Sequence, residues 1–396
     1  MKTIFSSEKQ RVPVKSWCEE PEFSALEQAI NASRHPAVFS HIALMPDTHQ
    51  GFGLPIGGVT ALEEAVSPNM VGVDIACGMM AVKLDISVNE LQREQLQSIM
   101  SRIQKLIPMG FSHQKDSSLY KYEAKNINNK HRDKIKDAED LKLISPEIVS
   151  GQLATLGGGN HFIEIQSDEN GIVWAMIHSG SRNIGKQVCE KYNQKARDLN
   201  AKYSVKLPSK DLAFLPEGTK EFETYLALMN FCVDFSYMNR ECMMKRILEA
   251  FNDITKKNLN VVSKINIHHN YASLEEHFGR KVWVHRKGAI NADKGIMGII
   301  PGSMGTCSYI VEGRGCEDSF KSSSHGAGRV MSRGAAKKAF SLKQFQKAMG
   351  DIVFPCEKRF IDEAPMAYKK IEKVMSEQKD LVKIIYKLTP LAVEKG

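Results

Sequence analysis

Four glycine-rich clusters, at residues 45–80, 155–185, 285–315 and 322–334, punctuate this chain of 396 residues, with helical, charged segments between them. Glycine lets a backbone turn sharply and come close to a ligand, and successive peptide N–H groups in such turns can surround an anion. Each cluster also sets Asp, Cys or His beside its glycines, which packing alone does not explain. With candidate side chains spread from Asp47 to Lys395, the expectation is one catalytic domain of residues 1–396 rather than separable modules. No internal repeat or low-complexity linker divides the sequence.

The rest of the composition is ordinary for a globular protein, with 42% hydrophobic and 25% charged residues. No run of about 18 apolar residues suggests a membrane span, and MKTIFSSEKQRVPVK lacks the apolar segment of a secretory signal. A cytoplasmic protein with no membrane partner is expected. Eight cysteines (18, 77, 189, 232, 242, 307, 316 and 356) show no framework spacing, so they are expected to be reduced, and a functional one is a metal ligand or a nucleophile. The net charge of +8 favours a polyanionic partner, nucleic acid first. NELQREQLQSIMSRIQKLI (89–107) has the apolar spacing of an amphipathic helix, and the methionine-rich stretch 222–251 reads as a long core helix. Residues 114–142 are lysine-rich and poor in aliphatics, an insertion that reads either as an RNA-contacting lid or as a solvated excursion.

Chemistry enters with NHFIEIQSDENGIVWAMIHSGSR, residues 160–182, where two apolar runs flank the turn sequence DENG. A loop of residues 168–171 makes cross-strand partners sum to 339, which sets His161 directly opposite His178. Opposed residues of an antiparallel pair stand ~4.5–5.5 Å apart at Cβ, close enough for two imidazoles to share one metal or hold adjacent ones. HSGSR (178–182) follows the second strand, so Ser179, Ser181 and Arg182 are candidates for an anion site there.

VGVDIACGMM places Asp74 and Cys77 three apart in a loop closed by Gly78, one hard and one soft ligand, a mixture that suits manganese or zinc. A thiolate sulfur has several lone pairs, so Cys77 can bridge two ions. In INIHHNYA a strand-like run ends in His268 and His269, which point to opposite faces, so only one is a ligand. MPDTHQGFGLPIGG adds Asp47 and His49 ahead of a flexible glycine run, and PGSMGTCSYI offers backbone donors with Ser303 and Ser308. SSSHGAGR sets His325 inside a loop built like a phosphate cradle, but no GxxxxGK[ST] occurs, so P-loop NTPase chemistry is unsupported.

Together VGVDIACGMM, LGGGNHFIE, HSGSRNIG, HHNYA, RKGA, IIPGSMGTCSYIV and SSSHGAGRVMSR resemble the signature blocks of the RtcB family of RNA ligases, in order and approximate spacing, from near residue 12 to Lys395-Gly396. The resemblance implies an α+β fold, a mixed β-sheet core surrounded by helices with a dinuclear metal site in a central cleft. It implies a GTP-dependent ligase that joins RNA 3'-phosphate or 2',3'-cyclic phosphate ends to 5'-hydroxyl ends, in RNA repair or tRNA splicing. His325 falls on the residue that becomes a covalent histidine-GMP, and Asp47 on a family acid near the metals. Two manganese ions are implied, one on Asp74, Cys77 and His161, the other on Cys77, His178 and His269. Contacts to the guanine nucleotide carry over to Asn160, Glu164, His269, Asn270, Pro301, Gly302, Ser303, Met304, Ser308, His325, Gly326, Ala327, Gly328 and Lys395, with Glu164 reading the base. In that family an archease-type activator is a further candidate partner.

Asn160 and Glu164 share strand parity while His161 does not, so a bulge or loop is expected at 160–161 if all three enter one pocket. Two other readings fit the residues alone: a metal-dependent nucleic-acid phosphoesterase, which needs the ligands but neither His325 nor GTP, and an RNA-binding protein with a structural metal.

Overall fold

The computed structural model describes residues 1–396. Its core is two large β-sheets. A seven-stranded, wholly antiparallel sheet runs in the order Val261–His268, Gly78–Ser87, Ile172–Ser179, Phe162–Ser167, Val382–Lys395, Ser308–Gly313, Met297–Ile300. A six-stranded mixed sheet orders Lys2–Ile4, Val14–Ser16, Val38–Phe52, Leu54–Leu62, Arg280–Lys287 and Asn270–His277, with one parallel pair between Val14–Ser16 and Val38–Phe52. The fold class is α+β, as expected. No helix is long and apolar enough to cross a membrane.

The two sheets are joined through one residue. Val261–His268 is an edge strand of the first sheet and Asn270–His277 an edge strand of the second, so His269 sits at the seam. Antiparallel pairing then gathers chain segments that are remote in sequence. Gly78 pairs with both His268 and Ser179, and Phe162 pairs with both His178 and Lys395, so these strand ends lie along one edge of the sheet.

Helices cover the seven-stranded sheet. The longest, Lys220–Thr255, starts where the Thr219 hydroxyl accepts the Phe222 N–H and stops at Lys256, whose φ is +58°. Phe222, Phe231, Phe235 and Phe251 are buried in a core of 51 residues shared with Arg93–Leu106 and Arg182–Lys202. Each such ring stabilises the fold by roughly 1.5–3 kcal/mol.

The Lys-rich segment is not a free excursion. Lys121–His131 lays Ala124 and Ile127 into the main core, and the His131 imidazole contacts Asp234 of the long helix at 2.6 Å. Lys191 then ties Asp137 and Asp140 to Arg182–Lys202 at 3.2 and 3.0 Å. A helix shorter than the 89–107 periodicity forms at Arg93–Leu106, because Ser87 and Glu90 close a separate capping box ahead of it. The glycine run of 51–58 is likewise ordered: it is the tip of a hairpin between Val38–Phe52 and Leu54–Leu62.

Candidate functional site

Five expected ligands converge at the shared sheet edge. The Cys77 Sγ lies 3.2 Å from His178 Nε2 and 3.5 Å from His161 Nε2. His178 Nε2 is 3.4 Å from His269 Nε2, and His161 Nε2 is 3.2 Å from the Asp74 carboxylate. The result is two ligand groups, Asp74–Cys77–His161 and Cys77–His178–His269, that share the one sulfur. His268 turns the other way, with Nδ1 3.2 Å from the Ala76 carbonyl and from Arg240.

The sequence dictates this convergence locally. The Asp74–Cys77 loop is stitched to the seam, since Ala76 N–H donates to Asn270 O and His269 N–H donates to Cys77 O. The Asn270 amide spans the same gap, donating to Asp74 O at 3.0 Å and accepting from Gly288 N–H at 2.8 Å. His178 Nδ1 meets the Asn160 carbonyl at 3.2 Å, which leaves Nε2 as the lone-pair nitrogen toward Cys77.

The 161–178 hairpin differs from the expected register by one residue. The ladder pairs Phe162 with His178 and Ser167 with Val173, so partners sum to 340 rather than 339. His161 is therefore not in the ladder opposite His178. It precedes the strand Phe162–Ser167, and that irregular entry turns its ring to within 5.4 Å of His178, centroid to centroid. Asn160 and Glu164 reach one cavity while His161, at the irregular entry to the strand, lines another, so the three do not share a single pocket.

The donor chemistry of the cluster fits divalent cations. Burial first, then His161 and His325, pushes His178 well below the usual imidazole range, and burial does the same to His269. Both rings are neutral donors. Burial and the neighbouring Asp74 push the Cys77 thiol well up, so in this setting the thiolate needs added positive charge. The Nε2 atoms of His161 and His269 face the cluster, while Nδ1 of each ring is buried on the far side without a partner. Arg240, unanticipated from sequence, is fully buried behind the cluster, donating to Ser179 O at 2.8 Å and to Asn266 Oδ1 at 2.7 Å.

Beside the cluster lies a cavity of about 320 Å³. Asn160, Glu164, the Pro301–Met304 loop, the His325–Gly328 loop and Lys395 line it, together with His178. Ser308 stands one layer back, its hydroxyl accepting from Gly302 N–H and 3.0 Å from Gln166 Nε2. Gln166 in turn donates to Glu164 at 2.6 Å. Burial raises the Glu164 carboxyl to about 8, against the opposing pull of Lys395 and Gln166.

His325 is held by Asp47. The Asp47 Oδ2 accepts from His325 Nδ1 at 2.6 Å and from the backbone N–H groups of His325 and Gly326 at 3.0 and 3.2 Å. Burial works against the charge on Asp47, but His325, His49 and Lys369 outweigh it and its carboxyl lies below the usual range. Two glycines make room. Gly57 has φ +80°, and a Cβ there would stand 2.9 Å from Asp47 Oδ1, while Gly328 has φ +73° and its Cβ would meet Asp47 O at 2.3 Å. With Nδ1 engaged, His325 keeps a lone pair on Nε2.

Lys395 is anchored rather than frayed. Its ammonium donates to Glu363 at 2.7 Å and to Asn160 O at 3.2 Å. Glu363 also accepts from Tyr368 Oη at 2.9 Å and pairs with Arg333; burial opposes its charge, but Lys395 and Arg333 hold its carboxyl at about 2. Sequence reasoning missed Glu363 and Tyr368, which lie in RFIDEAPMAY without a glycine or histidine signal, whereas Arg329 and Arg333 stand inside the block that begins at SSSHGAGR.

The serines of HSGSR do not line an anion site. Ser179 Oγ donates to Leu156 O at 2.7 Å and Ser181 Oγ donates to Ile75 O at 2.5 Å, both wholly buried. Arg182 lies at the edge of a different cavity, donating to Thr155 Oγ1 and Gly110 O. His285 lies in the core, where it accepts the Ser67 N–H.

Residues 28–396 match the family model described as tRNA-splicing ligase RtcB. The chain is 40% identical to the RNA-splicing ligase RtcB of Escherichia coli strain K12, over 98% of each chain. It is 32% identical to the tRNA-splicing ligase RtcB of Pyrobaculum aerophilum, over 98% of this chain and 95% of that one. With the RNA-splicing ligase RtcB of Mycobacterium bovis it shares 30% identity, over 93% and 100% of the two chains. A match of this length, with the ligand cluster and the His325 loop assembled where the motifs require, means that the chain belongs to the RtcB family.

Proposed function

We propose that this protein is an RNA ligase that joins RNA 3'-phosphate or 2',3'-cyclic phosphate ends to 5'-hydroxyl ends, with GTP as co-substrate and His325 as the covalent guanylate carrier. The observation that carries the reading is the Asp47–His325 contact at 2.6 Å beside a cavity next to a shared-sulfur ligand cluster. The ligands come from residues 74 to 269 and the cavity walls extend to 395, which supports one catalytic unit spanning the chain.

Asp47 selects the tautomer in which His325 Nδ1 carries the proton, so Nε2 is the nucleophile. Nε2 attacks the α-phosphorus of GTP; the N–P bond forms as the bond to the pyrophosphate oxygen breaks. The imidazolium so produced keeps its Nδ1 proton against Asp47. An oxygen of the RNA 3'-phosphate then attacks the same phosphorus, the N–P bond breaks, and His325 returns to its neutral form. Finally the RNA 5'-oxygen attacks the activated 3'-phosphorus, loses its proton and expels GMP.

Glu164 in its ionised form accepts from the N–H donors on the guanine edge, while Gln166 and Ser308 fix the carboxylate from behind. Lys395, Arg329 and Arg333 bring positive charge to the cavity, where phosphates can accept it. Asp74, Cys77 and His161 would hold one divalent cation and Cys77, His178 and His269 a second, manganese by the family resemblance. Bound there, the ions supply charge that neutralises phosphate oxygens and lowers the pKa of the attacking hydroxyl.

The test is incubation with manganese and GTP labelled at the α-phosphate, followed by denaturing electrophoresis, with His325→Ala alongside. Label retained by the wild type and lost from the variant is expected. A manganese-loaded protein that takes no label would overturn the guanylate mechanism and leave the phosphoesterase reading.

A further inference from the structure

The ligand cluster has a second cavity on the side bounded by Asp74 and His161, of about 810 Å³. Arg182, Lys186 and Arg359 line it, and Asp74 is its only acidic side chain. Lys186 and Arg359 each have one acidic neighbour at the surface, Glu190 and Glu357, and such exposed pairs are weak enough to open for a phosphate.

On the wall of this cavity stands Phe111, a fully exposed residue. Its loop is anchored on both sides. Gly110 N–H donates to Gly157 O at 3.1 Å, and Gly110 O accepts from Arg182 at 2.7 Å. Beyond the ring, Gln114 N–H donates to Gly151 O at 2.9 Å, and its side-chain amide donates to Leu153 O and Ala154 O at 3.1 and 2.9 Å. A phenyl ring presented to water on a fixed backbone contributes no burial to the fold. Single-stranded nucleic acid is bound by that combination, a base on an aromatic face and its phosphates on nearby cations.

We propose that Phe111 is a stacking platform for a base of the RNA strand that presents the 5'-hydroxyl. The choice of strand rests on the ligase reading above. GMP, the leaving group of the last step, occupies the first cavity, and an in-line displacement brings the attacking oxygen from the opposite side of the phosphorus. The cavity holding Phe111 is the one across the ligand cluster, bounded by Asp74 and His161.

The experiment is direct binding of a short RNA with 5'- and 3'-hydroxyl ends and 2-aminopurine near its 5' end, which cannot be joined and needs no GTP. Phe111→Ala should weaken binding about tenfold, within the range of one base–aromatic stack. Phe111→Trp should restore binding and quench the 2-aminopurine. An RNA abasic at its first nucleotides should bind wild type and Phe111→Ala alike. Because the ring touches no core, circular dichroism should not change in either variant. Equal binding of the intact RNA by wild type and Phe111→Ala would overturn the proposal. So would an equal loss with the abasic RNA, or a loss confined to RNAs bearing a 3'-phosphate and no 5'-hydroxyl. Guanylation of His325 is read separately, so a chain that takes the GMP label but fails here loses the platform and keeps the ligase reading.

Discussion

The ligand cluster and the first cavity share His178 as a wall, yet they hold charge in opposite ways. In the cluster a carboxylate, a thiol and three imidazoles face one another, and the buried Arg240 behind them is committed to Ser179 O, Asn266 Oδ1 and His268 Nδ1. In the cavity, Glu363 is matched by Lys395 and Arg333, and Asp47 accepts from the His325 ring and from two backbone N–H groups. The cluster is a set of donors that positive charge must complete. The cavity is already neutralised and can exchange a carboxylate partner for a phosphate at little electrostatic cost. One side is thus built for cations and the other, on the reading proposed above, for an anion, within one hydrogen-bonded framework.

The harshest way to break this contrast is Cys77→Ala. Both ligand groups lose their common sulfur, so metal analysis of the gel-filtered protein should show both ions depleted together, with joining below detection. Loss of only one ion would mean that the groups do not share the ligand.

Asp47→Asn tests the cavity side. The amide nearly preserves the shape but no longer selects the Nδ1–H tautomer, so guanylation should fall by about ten-thousandfold, as when a catalytic histidine loses its orienting carboxylate. Metal content should stay unchanged, which separates the two regions.

A smaller effect concerns pH. Glu164, raised to about 8, is protonated below that pH in the free protein, whereas guanine recognition needs the carboxylate. GTP uptake then releases a proton, so affinity should rise about tenfold per pH unit toward pH 8 and level off above it. Glu164→Gln should abolish the slope, measurable by titration calorimetry in buffers of differing ionisation enthalpy. The same shift means that the unfolded chain ionises first, so this residue's contribution to stability declines as pH rises from the ordinary carboxylate range toward 8.

The mildest effect is expected from Glu363→Gln. It weakens the hold on Lys395 and Arg333, and KM for GTP should rise about fivefold, near 1 kcal/mol, with kcat less affected. A large fall in kcat instead would assign Glu363 to the reacting groups.

Much of the site was legible because its residues sit at strand ends beside glycine, where periodicity and turn chemistry are both strong. Asp74 with Cys77, and one rather than both of His268 and His269, follow from local rules, while the choice of His269 comes from the family resemblance. The His161–His178 pairing was reached through a register one residue in error, and the ring still arrives because His161 enters the strand irregularly. Glu363 and Arg240 were not legible: one lies in a 3-10 segment and the other mid-helix, and only tertiary packing tells their burial with partners from an ordinary surface charge. The Lys-rich segment misled for a related reason, since Ala124 and Ile127 are too few to signal a buried face until the long helix lies against them. Strand order was equally hidden, as no local pattern places Val382–Lys395 between Phe162–Ser167 and Ser308–Gly313.

That placement governs how the protein is made. During synthesis the seven-stranded sheet remains split, with two unpaired edges, until residues 382–395 have left the ribosome. Cys77, His178 and His269 are all translated by then, yet the wall carrying Lys395 does not exist. A chain without that strand therefore presents open strand edges, the feature that favours misassociation.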